Sequence, residues 1–393
     1  MMITDNTFQK SIAVLKDLIQ INSTNSTLVR GGVGEKEIVR YLSELFLQEG
    51  IHSEVQNIGT DRFNLLAKVS GKKGGPRILL NGHLDTVGVA GMLAPFEARE
   101  IEGKIYGRGS QDMKGGLAAG VATLLALSQN RERFAGEVVL AAVADEEDRS
   151  LGTEYFLRHQ PQEKRFDFCI VLEPTDLKVC TAHKGFAWLE ITVYGKAAHG
   201  SRPNEGIDAI RQMGRVLEQL DQLDNRLQST PLHSLLGSGS LHTSLIEGGC
   251  EWSSYPDRCV LKYERRTVPP ENEATFRNEL NVILENLTKS VSLFRAESQL
   301  IFSRAPLQQD RKHPFVSQFH RQAVHHFSEL ADWGTVSFWT DAALISEAGI
   351  PSVVFGPRGA GLHSLDEYVV ASDVVACSKL LYDFILDGQV PPD

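Results

Sequence analysis

The run Ile78-Leu79-Leu80-Asn81-Gly82-His83-Leu84-Asp85-Thr86-Val87 constrains this chain more than any other stretch. Consecutive aliphatic residues ending in Asn-Gly read as a buried strand that delivers polar groups at its carboxyl end. In an extended backbone, a spacing of two sets His83 and Asp85 on one face. That is the arrangement of a metal-binding imidazole whose ring is oriented by a carboxylate. Alone, His-x-Asp at a strand end has a plainer reading, a histidine hydrogen-bonded to its neighbour. Its meaning therefore depends on what else the chain brings to the same place.

At 393 residues the chain exceeds what one core usually serves, so two domains are expected. Lys and Arg number 40 against 50 Asp and Glu, a formal charge of -10, and no basic run offsets it. A nucleic-acid or anionic-membrane partner is accordingly not expected. The five cysteines, Cys169, Cys180, Cys250, Cys259 and Cys377, are odd in number and contain no C-x-x-C pair. Reduced thiols in a cytoplasmic protein are the expectation, not a disulfide framework or a cysteine zinc site. The N-terminal segment reads as an amphipathic helix with Phe8, Ile12, Leu15 and Ile19 on one stripe, not as a signal peptide. Nowhere do about eighteen apolar residues run together, so no membrane span is expected. The Asn-x-Ser/Thr triplets at Asn22, Asn25 and Asn286 carry no meaning in such a compartment.

In chain order, a second amphipathic helix over 35–49 ends at Gly50, and strands follow at 52–56, 63–69 and 78–81. The glycine-rich residues 71–75 lack G-x-x-x-x-G-K-[ST] and read as a hairpin turn between the last two strands. A strand at 104–107, a helix at 115–127 and strands at 137–143 and 166–172 then alternate. This predicts an α/β sheet covered by helices on both faces, with sites at the carboxyl ends of its strands. Near Lys184 the pattern changes. A strand at 188–194, a helix at 207–220, strands at 241–246 and 259–263, a helix through Phe276, Leu280, Ile283 and Leu287, and a strand at 299–302 give the order β-α-β-β-α-β. From about Ala305 the α/β character returns, with helices at 314–327, 341–348 and 372–386 and a strand at 352–355. The expected division is a main domain of residues 1–183 and 304–393 interrupted by an insert of residues 184–303.

Every candidate for chemistry sits just past a strand end. Asp112, in Gly107-Arg108-Gly109-Ser110-Gln111-Asp112-Met113-Lys114-Gly115-Gly116, would alone read as a cap or turn residue. Ala144-Asp145-Glu146-Glu147-Asp148 sets four carboxylates directly after an apolar strand, where like charges repel unless a cation sits among them. Glu173 ends another strand, with Pro174 keeping its backbone extended. His363 lies on a loop before the last helix. An imidazole from each end of the set with carboxylates between suits two Zn²⁺ ions sharing a bridging carboxylate at about 3.5–4 Å separation. Co²⁺ or Mn²⁺ would be workable substitutes. A pure Mg²⁺ or Ca²⁺ site would have less use for histidines.

His83-Leu84-Asp85, Asp112-Met113-Lys114-Gly115-Gly116, Asp145-Glu146-Glu147, Glu173-Pro174-Thr175 and His363 resemble, in order and spacing, the dinuclear-zinc amidohydrolase and metallopeptidase family of acetylornithine deacetylase, succinyl-diaminopimelate desuccinylase, aminoacylase and glutamate carboxypeptidase. The resemblance implies a three-layer α/β/α zinc-peptidase-like catalytic domain with an inserted two-layer ferredoxin-like lid that also dimerises. It implies that His83 and Glu173 hold one metal, Glu147 and His363 the other, and Asp112 bridges them. Asp85 would orient His83, and Glu146 would be the general base toward a metal-bridged water. Adjacent residues of an extended segment point oppositely, which suits a ligand at Glu147 beside a base at Glu146. A cis peptide between Asp112 and Met113 is implied as well.

In the insert, His199 resembles the family's lid histidine, which there reaches the partner subunit's active site. Arg266 matches its arginine motif and would clamp a substrate carboxylate bidentately. The sequence departs from the family in two places. Ser253 stands where many relatives carry Asn, which leaves that loop's contacts open, and Glu264 replaces an Asp. The implied activity is zinc-dependent hydrolysis of the amide of an N-acyl amino acid by a homodimer. The alternatives are a metallo-carboxypeptidase or dipeptidase acting on short peptides, or a non-catalytic metal-binding and assembly protein, from which retention of Glu146 argues away. The acyl group and side chain accepted stay open.

Overall fold

The computed structural model describes residues 5–161 and 165–387. The chain opens with helices α1 (Asp5–Gln20) and α2 (Lys36–Gln48), then strands β1 (His52–Gly59), β2 (Arg62–Ser70), β3 (Lys72–His83), β4 (Arg99–Ile101) and β5 (Lys104–Tyr106). After a wide turn at Ser110–Lys114 come α3 (Gly115–Ser128), β6 (Ala135–Val143), α4 (Leu151–His159), β7 (Phe168–Val171) and β8 (Val179–His183). Next are β9 (Gly185–Tyr194), α5 (Ala209–Ser229), β10 (Ser240–Gly248), β11 (Arg258–Thr267), α6 (Glu273–Ser290) and β12 (Ala296–Arg304). The chain continues through β13 (Leu307–Gln308), α7 (Pro314–Phe327), β14 (Trp333–Val336), α8 (Ala342–Glu347), β15 (Ser352–Val354), β16 (Gly359–Ala360), β17 (Tyr368–Val370) and α9 (Ala371–Asp387). Two compact units result. One takes the chain up to Thr181 with Gln309–Thr335 and the chain from Thr340 on; the other takes Ala182–Gln308 with Val336–Trp339.

The first unit is built on a mixed sheet in the order β1-β2-β6-β3-β7-β15-β8. Ile78, Leu80, Val138, Leu140 and Ala142 share one buried core with α1, α2, α3, α7 and α9. On the other face Asn81 reaches Thr153 of α4, and α8 lies against β7 and β15. Helices therefore cover both faces, as the alternating pattern predicts, and the fold is α/β.

One expectation is corrected. Residues 71–75 do not turn a hairpin between adjacent strands, because β6 lies between β2 and β3, antiparallel to one and parallel to the other. The stretch runs instead beside the start of β6, with Gly71 N donating to Gly136 O (3.0 Å) and Lys72 N to Phe134 O (2.9 Å). The cause is burial. Val138 to Val143 are all buried, so β6 takes an interior position covered on both faces. The crossing is tight enough that a Cβ at Gly136 would lie 2.0 Å from the Pro76 carbonyl oxygen.

This topology sets the edge at which chemistry can be assembled. The neighbouring strands β6, β3 and β7 are parallel, with His83 opposite Val143 and Asn81 opposite Val171. Their carboxyl ends coincide, and the residues that follow them emerge side by side. A separate small sheet in the order β16-β17-β5-β4 pairs Tyr368 with Tyr106. That pairing draws the loop after β5, with Asp112, alongside the loop before β17, with His363.

The second unit is an antiparallel sheet in the order β10-β11-β9-β12 with α5 and α6 packed on one face. Alternate residues Ala187, Leu189, Ile191 and Val193 of β9 meet Met213, Val216 and Leu220 of α5 and Phe276, Leu280 and Ile283 of α6 in its core. Asp208 caps α5 through Arg211 N, and Asn272 and Thr275 cap α6 reciprocally.

Candidate metal centre

His83, at the end of β3, is buried and directs its Nε2 into a ring of carboxylates. Asp112 Oδ1 lies 3.1 Å away, Glu173 Oε1 3.6 Å and Glu146 Oε2 4.0 Å. His363 Nε2 approaches from the opposite loop, 3.2 Å from both Asp112 Oδ2 and Glu147 Oε2, and its side chain is half exposed. Asp112 thus touches both imidazoles, one with each oxygen. Donor atoms of His83, Asp112 and Glu147, and likewise of His83, Glu146 and Glu173, lie within 4.8 Å of one another. The Asp112–Met113 peptide is cis.

The contact between His83 and Asp85 differs from expectation. The imidazole Nδ1 meets the main-chain carbonyl of Asp85 at 2.9 Å, while the carboxylate stands 3.8 Å off. That carboxylate instead accepts the amide N–H of Glu146 (3.2 Å), that of Glu147 (3.3 Å) and Asn25 Nδ2 (2.8 Å). It anchors the loop that carries Glu146 and Glu147. Beneath it, Asn25 Nδ2 also donates to Asp145 (3.0 Å), and Arg62 joins Asp145 (2.9 Å) to Glu35 (2.7 Å) in a buried network. Asp145 itself has φ 70, left-handed backbone that aims the two glutamates after it. Asn25, in sequence only the first residue of an Asn-x-Ser/Thr triplet, is wholly buried, and its side chain hydrogen-bonds through both Nδ2 and Oδ1. Glu35 and Arg62 carried no motif that could have marked them.

The residues after Asp112 are also accounted for by contacts. Met113 Sδ accepts from His83 N (3.1 Å), and Lys114 Nζ donates to Leu18 O and Ile21 O where α1 ends (2.9 Å each). A Cβ on Gly116 would lie 1.8 Å from Leu172 O, so α3 rests directly on the strand end that presents Glu173.

Electrostatics explains why a cation suits this place. Burial pushes the carboxyls of Glu146 and Glu173 well above the usual range, and pushes Glu147 up to about 7 with the Asp112 charge adding to it. Asp112 is the exception: burial would raise it, but hydrogen bonds from His363 and His83 hold it below the usual range. Burial opposes charging of His83, yet the Glu173 charge and the Asp112 hydrogen bond raise it well above its ordinary value. His363 is pushed up to about 10 by its hydrogen bonds to Asp112 and Glu147. Carboxylates crowded and buried in this way favour positive charge among them. A divalent cation supplies that charge with the imidazoles neutral, and the mixed imidazole and carboxylate donor set fits it.

His199 and Arg266 belong to the second unit. His199 is exposed, with Nδ1 at 2.7 Å from Ser201 Oγ. The main chain of Ser253 braces its segment, accepting from Gly200 N (2.7 Å). Arg266 donates Nε to Glu264 Oε1 (2.6 Å) and lies over the Phe186 ring at 5.6 Å.

The model of Peptidase family M20/M25/M40 matches residues 79–387. The chain is 28% identical to the probable succinyl-diaminopimelate desuccinylase of Staphylococcus epidermidis, over 92% of this chain and 93% of that one. It is 29% identical to the acetylornithine deacetylase of Buchnera aphidicola subsp. Schizaphis graminum, over 95% and 97%. In fold it is similar to an M20 family metallo-carboxypeptidase of Sulfolobus solfataricus, with TM-score 0.78, 17% identity and coverage of 97% and 100%. The family match takes in the whole stretch from His83 to His363, and the chain belongs to Peptidase family M20/M25/M40, a family of metal-dependent hydrolases.

Proposed function

We propose that this protein is a zinc-dependent amidohydrolase that removes the acyl group from an N-acyl amino acid. The observation that carries the reading is the convergence of His83, Asp112, Glu147, Glu173 and His363 around one point, with Glu146 beside them. His83 and Glu173 would hold one ion, Glu147 and His363 the other, and Asp112 would be shared between them. When bound, the ions supply Lewis acidity toward the scissile carbonyl and toward water. Glu146 takes the proton of the attacking water and returns it to the departing amine. The Asp85 carbonyl keeps His83 turned toward its ion, and the Asp85 carboxylate keeps Glu146 and Glu147 in register. Arg266 recognises the substrate carboxylate, and His199 donates to the oxygen on which charge develops.

The second unit is proposed as a lid through which two copies pair. In support, β10 is an edge strand with Leu245 and Ile246 more than half exposed. A cytoplasmic location is proposed with it. The five cysteines are free thiols, and among the described residues no helix is long and apolar enough to cross a membrane.

The deciding experiment measures free amine released from N-acetylornithine, N-succinyl-diaminopimelate and a set of dipeptides by zinc-loaded protein, with and without chelator. Turnover of an N-acyl amino acid that chelator suppresses is expected. Turnover of dipeptides alone would move the assignment to a dipeptidase, and no turnover of any amide would end it.

A second prediction concerns Asp85→Asn. Its amide NH₂ would face one of the two main-chain N–H groups, of Glu146 and Glu147, that now meet separate carboxylate oxygens. A stability loss of ~1–3 kcal/mol in urea unfolding is expected from the donor left unsatisfied. A fall in kcat of about 10–100-fold should accompany it. Wild-type kcat in the folded variant would remove Asp85 from the mechanism.

A further inference from the structure

Glu367 carries no role in the reading above, yet its side chain is fully buried and every contact it makes bears on one loop. Its Oε1 accepts the amide N–H of Gln111 (2.9 Å) and of Asp112 (3.1 Å). Its Oε2 accepts the amide N–H of Gly109 (3.0 Å) and Arg108 Nη1 (2.5 Å). Its main-chain carbonyl accepts from Gly107 N (3.2 Å). Residues 108–112 thus curl around a single carboxylate, with the N–H groups of Gly109, Gln111 and Asp112 turned onto it while Ser110 N donates to Gly107 O (3.1 Å). Arg108, equally buried, closes the arrangement. Its Nη2 donates to Ser364 O (3.1 Å) and its Nε to Gly88 O (3.1 Å).

Both ends of this arrangement lead to the centre. Asp112 is the last residue held by the Glu367 carboxylate, and His363 precedes Ser364, which Arg108 grips. Asp112 and His363 meet at 3.2 Å although 251 positions separate them (363 − 112). The β5–β17 pairing joins their loops only at Tyr106 and Tyr368, beyond Gly107 and Glu367. From those points inward, the side chains of Glu367 and Arg108 tie the two loops together as far as the Asp112–His363 contact.

We infer that Glu367, with Arg108, is a positioning residue for the metal centre: it sets the separation of Asp112 and His363, and so the affinity of the ion they share. This rests on the proposed assignment of Asp112 and His363 as ligands. A residue that supports a ligand in this way typically contributes 10–100-fold in metal affinity. Glu367→Gln keeps the size of the side chain but turns an NH₂ toward main-chain donors. Arg108→Lys leaves the main-chain N–H groups around Glu367 in place and removes the guanidinium fork to Glu367, Ser364 and Gly88.

The test is competition for Zn²⁺ between full-length protein and a chelator of known affinity, at a temperature where thermal melting of each metal-free variant shows it folded. For Glu367→Gln, about 10–100-fold weaker binding of the ion shared by Asp112 and His363 is expected, with a smaller loss at the other ion, which Asp112 also serves. Arg108→Lys should shift the same ion by a smaller factor, and it decides the matter should Glu367→Gln not fold. Unchanged affinity in the folded variants, or a loss that merely follows the fraction unfolded, would overturn the inference. Wild-type protein that binds no zinc would instead overturn the proposed centre itself, so the two failures are separable.

Discussion

Glu146→Gln should lower kcat by ~10²–10⁴-fold, the range for loss of a positioned general base, and leave the metal content of the protein unaltered. That corresponds to about 3–5 kcal/mol of barrier, at 1.36 kcal/mol per tenfold. The substitution preserves shape, and the tie that places this residue is made by its main-chain N–H to Asp85, which Gln retains. The nearest Glu146 oxygen is 4.0 Å from His83 Nε2, against 3.1 Å for Asp112 and 3.6 Å for Glu173. KM should change little, because a base acts in the transition state and contributes little to ground-state binding. Metal analysis and steady-state kinetics on one preparation decide the point. Loss of an ion in the variant would make Glu146 a ligand, and an undiminished kcat would require another base.

The parts of this site that a reader of the sequence can find are those announced by a local pattern. His83, Glu147 and Glu173 follow apolar strands, and three parallel neighbours in a sheet bring their ends together whatever the turns between them do. Asp112 and His363 are legible through the spacing of the motifs and the family it resembles. What escapes is structure made by contacts between distant segments that leave no periodicity. Asn25 meets Asp145 across 120 positions, and Arg108 meets Glu367 across 259. In sequence each of these is an ordinary polar loop residue. The misplaced hairpin at residues 71–75 has a related cause. Glycines mark a change of direction, but which strand lies alongside is decided by the burial of β6, far along the chain. Asp85 is legible in the sequence, but which of its oxygens lies closest to the ring is not. The alternation of an extended strand puts its carboxylate beside His83, but β3 ends at His83, so the carbonyl of Asp85 turns to the ring and the carboxylate turns to the next loop.

Asp112→Ala should empty the centre of both ions, whereas His363→Ala should cost only one. Among the described residues Asp112 is the one carboxylate in contact with both imidazoles, at 3.1 Å from His83 and 3.2 Å from His363. Its removal leaves each proposed ion with one imidazole and one carboxylate, Glu173 on one side and Glu147 on the other. Two protein ligands fall short of the three or four by which proteins usually hold zinc. Removing His363 leaves the ion of His83, Asp112 and Glu173 with its ligands intact. That ion is also the better enclosed, since His83 is buried while His363 is half exposed. Zinc per chain after exhaustive dialysis is therefore expected near two for the wild type, near one for His363→Ala and near zero for Asp112→Ala. Because an ion that binds only the folded chain stabilises it by mass action, the midpoint of thermal unfolding in excess zinc should fall in the same order. Equal zinc loss in the two variants would refute the bridging role of Asp112, and retention of both ions in Asp112→Ala would place the metals elsewhere.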